Sequence, residues 1–176
     1  NGPERIDVAC TDGRIVALGD LQGNWSAETL LDATGLHVLP GVIDSQVHFR
    51  EPGLTHKEDL ESGTRGAALG GVTGLFEMPN TNPLTLWEAD LQAKLDAAQG
   101  RAWCDYAFYI GGSAVNAEQL QTLEWLPGCA GVKVFMGSSF GDLLADEDSV
   151  LRRILRHGRR RMACLLYTSP SPRDRY

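Results

Sequence analysis

At 176 residues, 43% of them apolar and 22% charged, the chain can bury the core of one ordinary domain but is short for a closed barrel of about 250 residues. The formal net charge is -7, yet residues 152–176 hold eight of the 16 basic residues and one of the 23 acidic ones. The acidic remainder excludes nucleic-acid binding through a broad basic face.

No stretch approaches the roughly 20 apolar residues that a membrane-spanning helix needs. Cys10, Cys104, Cys129 and Cys164 have no C-x-x-C spacing and no secretory signal before them, the pattern of reduced cysteines in a cytoplasmic protein. The chain opens NGPERIDV with no methionine, so its true start is expected to be missing.

Residues 5–39 alternate short apolar runs with turn signals: IDVAC, the turn TDG, RIVALG, LLDATG and LHVLPG. Such runs predict strands of a small antiparallel unit, taken as residues 1–39. From residue 40 the rhythm changes. GVIDSQVHF reads as a strand, and the helix after it has Thr55 and Glu58 as a capping box and Gly70-Gly71 as a stop.

VTGLFEMP is a second strand, followed by a helix with Thr85 and Glu88 as another capping box. WCDYAFYIGG precedes a helix near NAEQLQTLEWL, and GVKVFMG precedes one near EDSVLRRILRHG. Strands alternating with helices predict βαβ units and a parallel sheet. Four units over residues 40–163 suit the first half of a (β/α)8 TIM barrel or a smaller open sheet; chemically capable residues at the strand ends favour the barrel.

Residues 164–176 break the rhythm. CLLYTSPSPRD matches the direct translation of a transposase adapter used in library preparation, and this tail is set aside as non-native; a genuine Ser/Pro-rich tail is the alternative. The run Arg159 to Arg161 reads as a solvated helix end.

Alternation along a strand places Asp44, Gln46 and His48 on one face at the carboxyl end of the first barrel strand, where two side chains i and i+2 can grip one metal ion. A lone histidine there is otherwise structural. Arg50 offers a planar fork for a carboxylate, and Asn80, in EMPNTNP, offers an amide donor and acceptor; together they suit a small anion, while alone Asn80 can simply shape the loop before Pro83. Lys133 lies inside the apolar run AGVKVFMG, where burial favours a neutral, reactive amine able to form a carbamate with carbon dioxide. Snorkelling to the barrel mouth, or pairing with an acid, is the structural alternative.

DSQVHFREPG, KEDLESGTRGAALGGVT, EMPNTNPLT and GVKVFMGSS, in this order, resemble the dihydroorotase branch of the cyclic amidohydrolases; allantoinases and hydantoinases are similar but less so at the second motif. The resemblance implies a β-sandwich segment before a (β/α)8 barrel and one or two zinc ions at the strand ends. It implies His48 as a metal ligand with Gln46 at the neighbouring ligand position, Lys133 as a carboxylated metal-bridging lysine and catalytic residue, and Arg50 and Asn80 on the substrate carboxylate. The implied reaction interconverts dihydroorotate and N-carbamoyl-L-aspartate in pyrimidine synthesis, with a homo-oligomeric parent.

Gln46 stands where the family's pattern has histidine, and nothing beyond the fourth βα unit is present. Three explanations of Gln46 stay open: a working variant site, a non-catalytic subunit that supports aspartate carbamoyltransferase, or a sequencing error. An allantoinase or hydantoinase is a further alternative within the enzyme class. The 176-residue chain by itself is expected to be inactive.

Overall fold

The computed structural model describes residues 2, 4–23, 25–137 and 141–165. The chain divides into two compact units, Asn1–Leu39 and Pro40–Tyr176.

In the first unit β1 (Asp7–Thr11) pairs antiparallel with β2 (Arg14–Gly19). Asp12 and Gly13 both take positive φ, 50° and 70°, the geometry of the tight hairpin turn that Asp-Gly favours. The runs LLDATG and LHVLPG, expected as strands, form none; the Leu36 amide instead donates to Ala33 O at 2.9 Å and closes a turn.

The second unit is a parallel half-barrel sheet with helices between its strands. Among the described residues its strands are β3 (Val42–Val47), β4 (Val72–Glu77), β5 (Asp105–Gly111), β6 (Cys129–Phe135) and β7 (Met162–Leu165), adjacent in chain order. Between them run α1 (Leu60–Leu69), α2 (Glu88–Ala98), the short α3 (Leu120–Leu123) and α4 (Asp148–His157).

Alternation along β5 and β6 sorts the side chains. Phe108, Ile110, Val132 and Val134 join Leu60, Leu91, Leu120 and Ile154 in the layer between sheet and helices. Tyr109, Met78 and Ala130 form a second cluster; Ala130 departs from the alternation that Val132 and Val134 follow because the β5–β6 register shifts next to Gly131. All seven residues of β6 are buried, as expected of a strand covered on both faces. β7 is a fifth parallel strand, paired with β6, where the sequence predicts nothing beyond the fourth βα unit, and it runs through Cys164 and Leu165, two residues past the boundary expected at Ala163; residues 166–176, the rest of the segment read as non-native, lie outside the described residues.

Both expected capping boxes are displaced. The N-cap of α1 is Asp59, whose Oδ1 accepts from the Ser62 amide at 2.7 Å, and Glu51 Oε2 takes the Leu60 amide at 2.8 Å. Thr55 instead sits in a turn, where Leu54 and Lys57 amides bond to Arg50 O and Leu54 O. At α2 the Asp90 carboxylate reaches back to the Leu86 and Trp87 amides at 3.0 and 2.9 Å, while Thr85 is buried with its Oγ1 3.3 Å from Thr81 Oγ1. Gly70 and Gly71 end α1 where the sequence places the stop.

Candidate active site

Of the expected site residues, His48 and Arg50 lie in the segment HFREPG after β3 and Asn80 in the segment PNTNP after β4, while Gln46 is within β3 and Lys133 within β6. The Met78 amide donates to Val47 O at 3.0 Å and the Asn82 amide to Pro52 O at 3.0 Å, so the two loops leave the sheet side by side.

Gly53 makes their contact close. Its φ is +87°, and a Cβ there would lie 2.0 Å from the Asn82 carbonyl oxygen. Gly53→Ala is therefore expected to cost about 2–4 kcal/mol, from the left-handed backbone and the forced separation of the loops together. Urea denaturation measures it; a loss under about 0.5 kcal/mol, within the range of an ordinary surface change, would show that the loops part freely.

His48 Nδ1 lies 2.8 Å from Asn80 Oδ1. A carbonyl oxygen only accepts, so Nδ1 carries the proton and Nε2 keeps its lone pair, the tautomer a metal ligand needs. Half-burial pushes the imidazole below its ordinary range. The cations of Arg50, Lys133 and Lys94 push the same way, against the Asn80 bond, so the ring is neutral at pH 7. The His48–Asn80 bond joins the ends of β3 and β4, and Lys133 lies near the carboxyl end of β6 in the same sheet.

Asn80 thus has a partner that the sequence reading did not give it. Its oxygen orients His48, which leaves the side-chain NH2 as the group available to a ligand.

The expectation that Asp44, Gln46 and His48 share one face meets an irregularity. The β3–β4 register shifts between Asp44 and Val47, where three steps along β3 match two along β4. Asp44 Oδ1 accepts the Gln46 amide at 3.0 Å, and strict alternation stops there. Gln46 is exposed, and among the described residues its side chain bonds to none of the other four.

Lys133 is 2% exposed, covered rather than deep, and burial lowers its pKa from the ordinary lysine value. Its Nζ lies 5.1 Å from the centre of the Phe135 ring, and among the described residues no carboxylate pairs with it. Of the two structural alternatives, pairing with an acid is thereby removed. The half-buried Arg50 is likewise without a carboxylate partner among the described residues, and it holds a φ of +69°.

Two ion pairs went unnoticed in the sequence. Glu51 forms a two-pronged pair with Arg101, at 2.8 and 3.2 Å, that ties the REPG loop to the end of α2. Glu77 and Lys94, 0% and 1% exposed, meet at 2.5 Å beneath the same loop. The pattern E-P-G hints at a turn but not at a partner fifty residues on.

Residues 35–115 match the dihydro-orotase-like family. In sequence and in the fold of the half-barrel the chain is similar to allantoinases and hydantoinases.

Among particular relatives, the chain is 42% identical over 144 residues to an allantoinase of Salmonella gallinarum, an alignment covering 81% of this chain and 31% of that protein. The L-hydantoinase (dihydropyrimidinase) of Arthrobacter aurescens superposes with a TM-score of 0.78 at 30% identity, covering 85% of this chain and 33% of the other. The dihydropyrimidinase of Brevibacillus agri gives 0.70 at 29%, covering 86% and 33%. The chain thus spans about a third of the length of the relatives it matches.

Among the described residues no group of three or more His, Cys, Asp or Glu side chains is placed to hold a metal ion, and no helix is long and apolar enough to cross a membrane.

Proposed function

We propose that the whole protein hydrolyses the ring amide of a small cyclic ureide bearing a carboxylate, of the kind interconverted as dihydroorotate and N-carbamoyl-L-aspartate in pyrimidine synthesis. The observation that carries this reading is Arg50: half-buried, beside His48, with no carboxylate partner among the described residues. A fork left unsatisfied in a half-buried site suits a ligand that brings the carboxylate with it. The Asn80 NH2 is the second group offered to that anion.

The donor set fits a metal in part. His48, with Nδ1 held by Asn80, presents Nε2 as an oriented imidazole ligand. Lys133, once carboxylated, adds two hard oxygens. Gln46 adds at most an amide oxygen, weak for zinc. A zinc ion held there supplies polarisation of the ring carbonyl and activation of water. The chain's own residues orient the ring through Arg50 and Asn80 and keep His48 neutral.

A second reading, a neutral ring as in the allantoinases, is favoured by the 42% identity to the Salmonella protein. Ring-opening assays on the full-length protein with dihydroorotate, allantoin and hydantoin, before and after chelation and with zinc content measured, separate them. Preference for dihydroorotate, lost on chelation, supports the proposal; at least about tenfold preference, some 1.4 kcal/mol, for a neutral ring overturns it. No zinc and no turnover would instead point to the non-catalytic subunit, with aspartate carbamoyltransferase as the partner to test.

A further inference from the structure

We propose that the buried Glu77–Lys94 pair is a positioning device for Arg50, fixing the HFREPG segment so that the guanidinium faces the substrate anion. The inference rests on the reading of Arg50 just given and deepens it.

Glu77 ends β4 opposite Val47, the last residue of β3, so the chain beyond that pairing passes over the Glu77 side chain. Burial raises the pKa of Glu77; the Lys94 ammonium and, less strongly, the backbone of Arg50 and Phe49 oppose that shift, and neither amide reaches ordinary hydrogen-bond geometry with the carboxylate. From below, Lys94 in α2 pairs with Glu77 Oε2 at 2.5 Å, donates to Met78 O at 3.2 Å and lies 4.9 Å from the centre of the Phe108 ring. One ammonium thus ties helix, strand end and the approach to Asn80 together.

The segment above needs such an anchor. Arg50 holds a left-handed backbone without being glycine, a conformation kept only where its surroundings over-determine it. Phe49 is fixed on α1, since a Cβ on Gly63 would come within 2.3 Å of its ring. Glu51 is fixed by Arg101 and the Leu60 amide. Between these two anchors, Glu77 is the charged group under Arg50 itself.

A pair sealed from water is a weak source of stability, because desolvating two ions offsets most of their attraction; an apolar pair of similar size holds a core equally well. Its distinctive contribution is directional. An ammonium held at once by a carboxylate and by the Met78 carbonyl fixes where the end of β4 stands, next to the segment that follows β3, which apolar contact does not.

The test uses the full-length protein with Glu77→Gln, Lys94→Met and the double variant Glu77→Leu/Lys94→Met. The double variant is expected to melt no lower than the parent, yet to raise KM for dihydroorotate about tenfold with kcat nearly unchanged. In an Arg50→Met background the same changes should add nothing further, because the pair acts through Arg50. Amide exchange over residues 47–54 should quicken about tenfold in all three, while β5 and β6 stay as they were.

Unchanged exchange over 47–54 overturns the positioning role whatever the substrate is. So does a KM that stays at the parental value, or one that rises equally in the Arg50→Met background. If the unsubstituted protein prefers a neutral ring, the reading of Arg50 fails instead. In that case quickened exchange over 47–54 still supports the pair as the loop's anchor.

Discussion

Lys133→Met in the full-length protein should abolish ring opening, while in the metal-free, uncarboxylated protein it should leave the fold as stable as before, or more so. Turnover is expected to fall by more than the roughly 10- to 100-fold that loss of an outer partner of a metal ligand costs, because on the function proposed above Lys133 is itself a ligand. Stability should stay level or rise by about 1 kcal/mol at neutral pH. The magnitudes decide this: an unpaired buried polar group costs about 1–3 kcal/mol, whereas the Phe135 contact that is lost is worth about 0.5–2. Methionine fills similar space, and its sulfur restores part of the ring contact.

The pH dependence gives the same prediction a second readout. Burial lowers the folded-state pKa of Lys133, while the unfolded chain keeps the ordinary value near 10.5. Between those two pKa values the unfolded chain holds a proton that the folded chain has released, so parental stability climbs with pH across that window; below it, both states are charged and the full burial penalty applies. Lys133→Met removes this contribution, so the variant's advantage is largest near neutrality and shrinks toward pH 10. Thermal melts from pH 7 to 10 measure the difference. A variant that is less stable throughout, and that loses activity only in step with unfolding, would make Lys133 an ordinary core residue.

What the sequence made legible was whatever depends on periodicity. The apolar run GVKVFMG reads as a strand, and Gly70-Gly71 stops α1, because an apolar run and helix termination are local properties. The N-caps were missed for a tertiary reason. Thr55 carries the right chemistry, but Glu51 captures the Leu60 amide and the helix begins four residues further on, with Asp59 as its N-cap.

Lys94 shows the same limit more sharply. In EADLQAKLDAA it looks like one of the charges on a solvated face, and only the approach of β4 buries it against Glu77. At the site, the residue types were readable but one shared face was not: a register shift after Asp44 separates Gln46 from the alternation that would align it with His48. Asn80 was readable as polar and near Pro83, yet its bond to His48 joins residues thirty-two apart, a distance no spacing rule spans.

Arg50→Met should discriminate among substrates rather than merely weaken the enzyme. A charge-assisted pair contributes about 1.5–3 kcal/mol, so removing the fork should lower kcat/KM for dihydroorotate by roughly 10- to 150-fold. The carboxylate lies away from the scissile amide and keeps its charge throughout the reaction. The loss should therefore appear in KM, with kcat nearly unchanged. Hydantoin, which has no carboxylate, should be turned over within about threefold of the parental rate, because uniform binding to that group never contributed.

Methionine is suited to the test because it takes on the same left-handed backbone strain at φ +69° that arginine already bears, so the loop is not further perturbed by the change. Arg50→Lys should fall between, keeping the charge but losing the paired donors. An equal loss on charged and neutral rings would show that Arg50 shapes the loop and binds nothing. A loss confined to the charged ring leaves the anion as the partner this half-buried guanidinium otherwise lacks among the described residues.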